Sequence, residues 1–229
     1  MFARHDLAWL GGSGWEQALA GAPAEHAAAM AAWRQADRPL VVRRADVDQA
    51  PGQVALGLAL PPRPEDGRKV RIPCRVAVEQ VARRAAPLPL AQALAQSPYK
   101  PPRWDAALAA LASSAADEGI ELRVYGSLAL QVLTGQVYLT ASSDIDLLVQ
   151  PRDTAGLDAA LALLNTHAAG LPLDGEIVFP GGRAVAWKEW NAARAGAPGS
   201  RVLVKEMTRV SLATTDNLLA ALEEQACTH

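Results

Sequence analysis

Apolar residues recur along the chain at two spacings, one typical of helices and one typical of strands. In the C-terminal part the helical spacing is clearest over residues 104–118 and 154–168, and Gly119 stands where a helix commonly ends. A final helical region is expected over residues 208–225. Short apolar runs between these segments predict strands at residues 122–125, 144–149, 174–179, 184–190 and 201–207.

The N-terminal part mixes a long helical pattern with short strands. A helix is predicted over residues 15–36, with Pro23 as the position that breaks or restarts it, and another over residues 75–84. Strands are predicted at residues 38–44, 54–60 and 68–73, whereas residues 2–10 fit a short helix or a strand equally well. Prolines punctuate residues 87–102, where we place a linker with a short helix at 90–96.

These patterns predict an α+β protein with two domains. Residues 1–88 would form the smaller N-terminal α+β domain, and residues 89–229 the larger C-terminal domain. A chain of 229 residues is long enough for one large or two small domains. Half of the residues are apolar, so a sizeable core is possible.

The most informative stretch contains Gly126-Ser127, a helical pattern, a polar loop and Asp144-Ile145-Asp146. Side chains two apart on a strand point to the same face, so we expect Asp144 and Asp146 to stand side by side. Gly126 allows a phosphate to approach the backbone, and Ser127 is expected to cap a helix whose first turn attracts anions. This order predicts a phosphoryl or nucleotidyl transfer site.

The acidic residues of this stretch indicate a metal ion. Two adjacent carboxylates repel each other unless a cation lies between them, so we expect Asp144 and Asp146 to bind Mg²⁺, which suits oxygen ligands shared with phosphates. A third acid would accept a proton or hold a second metal ion. Asp174 and Glu176 both suit that role, and the sequence leaves the choice between them open.

Basic residues occur in local clusters. Lys188 and Lys205 lie on the two predicted strands that follow the acids, where each is either a phosphate ligand or a surface lysine. Arg43 and Arg44 belong to an arginine-rich N-terminal segment, which is either a solvated face or a dock for an acidic partner. The net charge is only −2, which argues against a nucleic acid polymer as partner.

The sequence also indicates the cellular compartment. Cys74 and Cys227 are the two cysteines, and a disulfide framework is not expected from them. The first residues lack the apolar core of a signal peptide, and no run approaches the roughly 20 apolar residues that a membrane span needs. We therefore expect a cytoplasmic protein with no membrane partner.

The turn Gly126-Ser127 followed by Asp144 and Asp146 resembles the signature of the DNA polymerase β-type nucleotidyltransferase superfamily. The resemblance implies that the larger domain is a mixed sheet flanked by helices. It also implies that the two aspartates bind metal and that a later strand supplies the third carboxylate.

Further segments resemble one narrower family, the malonate decarboxylase holo-acyl-carrier-protein synthases, also called phosphoribosyl-dephospho-CoA transferases. The resemblance is carried by residues 5–7, 38–44, 54–57, 125–127, 144–148, 174–176 and 186–189. It implies transfer of a phosphoribosyl-dephospho-CoA group from triphosphoribosyl-dephospho-CoA to a serine of the apo acyl-carrier subunit of malonate decarboxylase, with release of pyrophosphate.

In this reaction Gly126 and Ser127 would hold the β and γ phosphates of the donor. Arg43 and Arg44 would receive the carrier, because acyl carriers are generally acidic.

Two other classes of function stay open at this point. The superfamily signature also serves antibiotic, protein and tRNA-modifying nucleotidyltransferases, although the near-neutral charge argues against a tRNA substrate. The second class is a non-catalytic binding module on the same fold. Such modules often lack one of the acids, whereas Asp144 and Asp146 are both present.

Overall fold

The computed structural model describes residues 2–97, 102–140, 142–197 and 199–227. The chain divides into two compact units, Met1–Pro87 with Gln136–Tyr138, and Leu88–Gly135 with Leu139–His229. Each unit combines helices with a β-sheet, so the predicted α+β class is confirmed. Within the described residues, no helix has both the length and the apolar character needed to cross a membrane.

The first unit contains a five-stranded antiparallel sheet. Its elements in chain order are β1 Leu7–Leu10, α1 Gly12–Ala20, α2 Ala27–Gln35, β2 Leu40–Val42, β3 Gln53–Ala59, β4 Arg71–Ala77 and β5 Val81–Ala85. The strand order is β4-β3-β2-β1-β5. Pro23 lies between α1 and α2, at the predicted break. Trp33, Leu40, Leu56 and Ile72 are fully buried and form part of the core of this unit.

The helix predicted at residues 75–84 is wrong. The chain stays extended through β4, makes a 3₁₀ turn at Val78–Gln80 and continues as β5. Ile72, Cys74 and Val76 are buried at every second position, as a strand requires. The strand β4 also pairs with β3 over its whole length. Pairing with a distant segment therefore overrides the local helical pattern.

The second unit contains a seven-stranded sheet. Its elements in chain order are β6 Leu88–Pro89, α3 Leu90–Gln96, α4 Pro102–Asp117, β7 Leu122–Val124, α5 Gly126–Thr134, β8 Ile145–Val149, α6 Thr154–Ala168, β9 Leu173–Phe179, β10 Arg183–Ala186, α7 Trp187–Arg194, β11 Arg201–Lys205, β12 Val210–Thr214 and α8 Thr215–Ala226. The strand order is β12-β11-β10-β9-β8-β7-β6. The β8–β9 pair is parallel and the other described pairs are antiparallel, so the sheet is mixed.

The two faces of the seven-stranded sheet have different roles. One face packs into the hydrophobic core through residues that include Ile145, Leu147, Ile177, Phe179, Val202 and Val204. Because side chains alternate along a strand, the intervening residues point to the opposite face. We call this the outer face, and its members include Asp146, Asp174, Glu176, Leu203 and Lys205.

The strand predicted at residues 184–190 is wrong over its second half, because α7 begins at Trp187. Trp187 and Trp190, one helical turn apart, are both buried in the core. Glu189 accepts a hydrogen bond from the backbone N–H of Leu203 at 2.7 Å, beyond the point where β10 ends. Burial of the two indoles on one helical face therefore decides the conformation of this segment.

The helix predicted at residues 208–225 is wrong over its first residues. Val210–Thr214 forms β12, which pairs with β11 along its whole length. The hydroxyl of Thr214 accepts a hydrogen bond from the backbone N–H of Asn217 at 3.3 Å and so caps α8. The predicted helical region is thus a strand followed by a capped helix.

Candidate active site

Asp146 of β8 lies against the start of α5. The backbone N–H of Tyr125 donates to the carbonyl oxygen of Asp146 at 3.1 Å, which ties the end of β7 to β8. Gly126 follows with φ of +64°, and a Cβ built there would collide with Oδ2 of Asp146 and lie 2.8 Å from its Cγ. Glycine is therefore required for the left-handed backbone and for the space that the carboxylate occupies.

The first turn of α5 differs from the sequence prediction in one respect. The helix begins at Gly126 with Tyr125 as its N-cap residue, so the assignment of Ser127 as N-cap is wrong. The side chain of Tyr125 makes no hydrogen bond that caps this turn. Ser127 is buried, with 6% of its surface exposed. The helix end carries the positive dipole that suits an anion.

Asp144 and Asp146 flank the first residue of β8. Asp144 is exposed and precedes the strand, whereas Asp146 is half-buried within it. The loop before the strand is held by three hydrogen bonds between Thr140 and Ser143, at 2.9, 3.1 and 3.1 Å. The common orientation of Asp144 and Asp146 stays a prediction.

The parallel strand β9 brings Asp174 beside Asp146. The two aspartates are register partners, and partners on neighbouring strands lie about 5 Å apart with side chains on the same face. The next residue, Gly175, has φ of +136°, and a Cβ built there would lie 2.7 Å from the carbonyl carbon of Leu147. The strands are too close at this point for any side chain, which fixes the register that juxtaposes the two acids.

Glu176 has a different partner. Its side chain is only 5% exposed, and its Oε1 accepts a hydrogen bond from Nζ of Lys205 at 2.9 Å. The lysine reaches across β10, where Ala184 is its own register partner and Ala186 is that of Glu176. Two small side chains leave room for this crossing. The lysine–glutamate pair thus occupies the outer face next to Asp174.

Lys188 lies in the first turn of α7, so its prediction as a strand residue is wrong. Its Nζ is 3.9 Å from Oδ1 of Asp174, and the two side chains are 57% and 46% exposed. An exposed pair at this distance contributes little to stability. Lys188 is therefore free to exchange Asp174 for another anion at this edge of the outer face.

Arg43 and Arg44 have unlike surroundings. Both Nη atoms of Arg43 contact the carboxylate of Asp46, at 2.5 and 2.6 Å, and its Nε donates to the carbonyl of Leu56. Hydrogen bonding to Arg43, and secondarily to Arg75, lowers the pKa of Asp46 to about 2 against the opposing effect of burial. Arg44 is exposed, and none of the described residues pairs with it. Arg43 is thus an internal ion-pair partner, and Arg44 is a surface cation.

The acidic residues suit a hard divalent ion that shares its ligands with a substrate. Over the described parts of the chain, no group of three or more His, Cys, Asp or Glu side chains is arranged to hold a metal ion. Mg²⁺ commonly takes one or two carboxylates and completes its shell with water and phosphate oxygens. Asp144, exposed, and Asp146, held against Gly126, provide donors of that chemistry.

Sequence reasoning missed Gly175 and the contact between Glu176 and Lys205. An isolated glycine inside a predicted strand signals a close backbone approach, so a local signal for Gly175 existed. The ion pair joins residues 29 positions apart on strands that are not neighbours. No local pattern encodes such a contact.

Comparison with known proteins adds to these observations. Residues 77–216 match the family model described as the phosphoribosyl-dephospho-CoA transferase MdcG C-terminal domain, and residues 3–87 match the corresponding N-terminal domain. A phosphoribosyl-dephospho-CoA transferase of Xanthomonas campestris pv. campestris (strain 8004) is 37% identical over 207 residues, which cover 90% of this chain and 91% of that protein. One from Bradyrhizobium diazoefficiens is 39% identical over 214 residues, covering 91% and 88%. No solved structure matches the chain.

Proposed function

The chain belongs to the phosphoribosyl-dephospho-CoA transferase family, and we propose that it loads the acyl-carrier subunit of malonate decarboxylase. The proposed donor is triphosphoribosyl-dephospho-CoA, the acceptor is a serine hydroxyl of the apo carrier, and pyrophosphate is the second product. The position of Asp146 between Gly126 and Asp174 is the observation that supports this best. The first turn of α5, a helix end of the kind that suits an anion, lies beside two neighbouring carboxylates.

In the proposed reaction the serine oxygen attacks the α-phosphorus in line with the leaving pyrophosphate. A new O–P bond forms while the bond from the α-phosphorus to the bridging oxygen breaks, and the product is a phosphodiester. The serine proton passes to a carboxylate. We assign this role to Asp174, because its half-exposed side chain lies beside Asp146 whereas Glu176 is paired with Lys205.

Asp144 and Asp146 are the residues proposed to hold Mg²⁺. A bound Mg²⁺ would supply positive charge to the phosphate oxygens of the donor. Repulsion between the neighbouring carboxylates of Asp146 and Asp174 favours any cation that enters between them. The protein thereby supplies the acidic side of a site whose remaining ligands belong to the donor.

Three further parts of the chain are proposed to hold the donor. The first turn of α5, at Gly126 and Ser127, would receive the β and γ phosphates. Lys188 would exchange its weak contact with Asp174 for a phosphate oxygen. Lys205 keeps 37% of its side chain exposed while it contacts Glu176, so that it also presents charge to the donor.

Mass spectrometry of the apo carrier tests the proposal. After incubation with the protein, Mg²⁺ and triphosphoribosyl-dephospho-CoA, the carrier should gain one phosphoribosyl-dephospho-CoA group on a serine and release one pyrophosphate. Asp144→Asn and Asp146→Asn should each abolish the transfer and leave the fold intact. Near-normal turnover by either variant would contradict the metal assignment.

The same assay separates the alternative functions. Adenylylation from ATP, without transfer from triphosphoribosyl-dephospho-CoA, would identify an antibiotic or protein adenylyltransferase. Binding of donor and carrier without any release of pyrophosphate would identify a non-catalytic module.

Carrier docking at Arg43 and Arg44 is a proposal that concerns mainly Arg44. Reversing the charge of Arg43 would also break its ion pair with Asp46. Arg44→Glu should weaken carrier binding and leave donor binding unchanged. Equal loss of both affinities would contradict this role.

A further inference from the structure

Three large apolar side chains lie exposed together on one hairpin. Leu203 of β11 is 38% exposed, and Val210 and Leu212 of β12 are 40% and 60% exposed. Leu203 is the register partner of Leu212, and Lys205 that of Val210. Register partners on antiparallel strands point to the same face, so Leu203, Val210 and Leu212 form one continuous surface. We call these three residues the hairpin patch.

The opposite face of this hairpin is firmly packed. Val202 and Val204 are fully buried in the core, and Ala213 packs against it. The hairpin patch is therefore carried by an anchored element rather than by a frayed end. Clustered apolar side chains on an anchored surface are typical of interaction sites.

The hairpin patch is continuous with the proposed active site. Lys205, opposite Val210, reaches Glu176 at 2.9 Å, and Asp174 is two residues before Glu176 on β9. Three strand spacings separate β9 from β12, which is roughly 15 Å. A standard protein interface covers roughly 800 Å² on each partner, or a disc of roughly 16 Å radius. One partner can therefore cover the patch and reach the acids.

The outer row of β11 ends in a cation on each side, whereas the acids of the outer face lie on β8 and β9. Arg201 shares the outer face with Leu203, is exposed, and is paired with none of the described residues. Lys205 lies at the other end of the same row, where it is paired with Glu176. The strands β11 and β12 contain no carboxylate, and the nearest contact with one is the hydrogen bond from the Leu203 backbone N–H to Glu189. The surface thus has an apolar centre with cations at its margin and complements an apolar surface flanked by acids.

We propose that the hairpin patch docks the acyl-carrier protein that supplies the acceptor serine, an inference that rests on the proposed function. A hydroxyl attached to a folded protein reaches the α-phosphorus only if that protein lies on the outer face around Asp146 and Asp174. The hairpin patch is exposed apolar surface on that face, and Arg201 would meet carboxylates next to the acceptor serine.

Binding of the purified apo carrier, measured by calorimetry without donor, tests this surface. The double variant Leu203→Ser/Leu212→Ser should raise the Kd for the carrier about tenfold or more, because central apolar contacts dominate interface energies. Its Kd for triphosphoribosyl-dephospho-CoA should not change. The matched control is Val78→Ser, which removes an exposed valine of the other unit and should leave both constants unchanged. Arg201→Glu should weaken carrier binding and reduce its salt dependence.

Three outcomes would overturn the docking surface. The first is an unchanged Kd for the carrier in the double variant. The second is an equal loss of donor affinity, which would assign the patch to an apolar part of the donor. The third is a change from dimer to monomer in sedimentation with carrier affinity retained, which would assign the patch to a second copy of the chain. If the wild type binds the carrier through the patch yet transfers nothing, the docking surface stands and the proposed function fails.

Discussion

The carboxylate of Asp146 occupies the space that a side chain on Gly126 would need, since a Cβ built at Gly126 would lie 2.8 Å from Asp146 Cγ. The glycine of the turn and the second aspartate of the acidic pair are therefore parts of one arrangement. The carboxylate in this position requires that the turn contain glycine. Substitutions at either residue should disturb both.

Gly126→Ala is expected to lower turnover at least about 100-fold, because the added methyl group displaces the Asp146 carboxylate by a distance that misaligns the site. Gly135→Ala is the matched control, since Gly135 has φ of +67°, ends the same helix and has no neighbouring atom within 4 Å of a built Cβ. Each variant should lose about 1–2 kcal/mol of stability from backbone strain. Equal loss of turnover in both would show that strain alone is responsible.

Asp174→Asn is expected to lower turnover by about 100-fold or more, because it removes the proposed proton acceptor. Its melting temperature should change little, since Asp174 is half-exposed and its contact with Lys188 is long. Glu176→Gln should show the opposite pattern. Its melting temperature should fall, whereas its turnover should fall less than that of Asp174→Asn. Steady-state kinetics and thermal unfolding of both variants test this assignment. A larger loss of turnover in Glu176→Gln than in Asp174→Asn would mean that Glu176 is the proton acceptor.

Lys205→Met is expected to lower the free energy of unfolding by about 2–3 kcal/mol, because the buried Glu176 carboxylate loses its ammonium partner. The double variant Glu176→Gln/Lys205→Met should lose less than the sum of the single variants. Urea unfolding measures all three. Lys188→Met is the control and should change stability by less than about 0.5 kcal/mol, because its ion pair is exposed. Strictly additive losses would mean that the two residues act separately.

Stability in acid should depend on Asp46. Its pKa of about 2 in the folded protein is lower than in the unfolded chain, so its contribution is complete above about pH 4 and is lost as the pH falls towards 2. After allowance for solvent screening the contribution is about 1 kcal/mol. Urea midpoints of wild type and Asp46→Asn should therefore differ at pH 7 and converge near pH 2. Glu65→Gln, at an exposed loop position, should follow the wild type throughout.

The two cysteines should react at very different rates. Burial raises the pKa of the Cys74 thiol to about 11, whereas Cys227 is exposed. A thiol reagent at pH 8 should therefore label one cysteine quickly and the second only after unfolding. Cys227→Ser should remove the fast phase. A fast phase that persists in this variant would show that Cys74 is accessible.

Local sequence patterns account for the elements whose causes are local. The helices predicted at residues 90–96 and 154–168 are confirmed. Pro89 immediately precedes the first helix. Asp153 caps the second helix through a hydrogen bond from the Gly156 N–H at 2.7 Å. The errors at residues 75–84 and 208–225 both concern strands. Each of those strands exists because a separate strand pairs with it, and pairing is not a local property.

The sequence by itself determined which residues are available to the site: a glycine at the turn, a pair of aspartates two apart, two further acids and two lysines. The tertiary structure alone decided that Asp174 lies beside Asp146 and that Lys205 forms an ion pair with Glu176. The reason is that side-chain alternation assigns a face to each residue within its own strand, whereas neighbours across a sheet depend on strand order and register. Order and register are set by segments far apart in the chain, here by the close contact of Gly175 with Leu147 and by the crossing of β10.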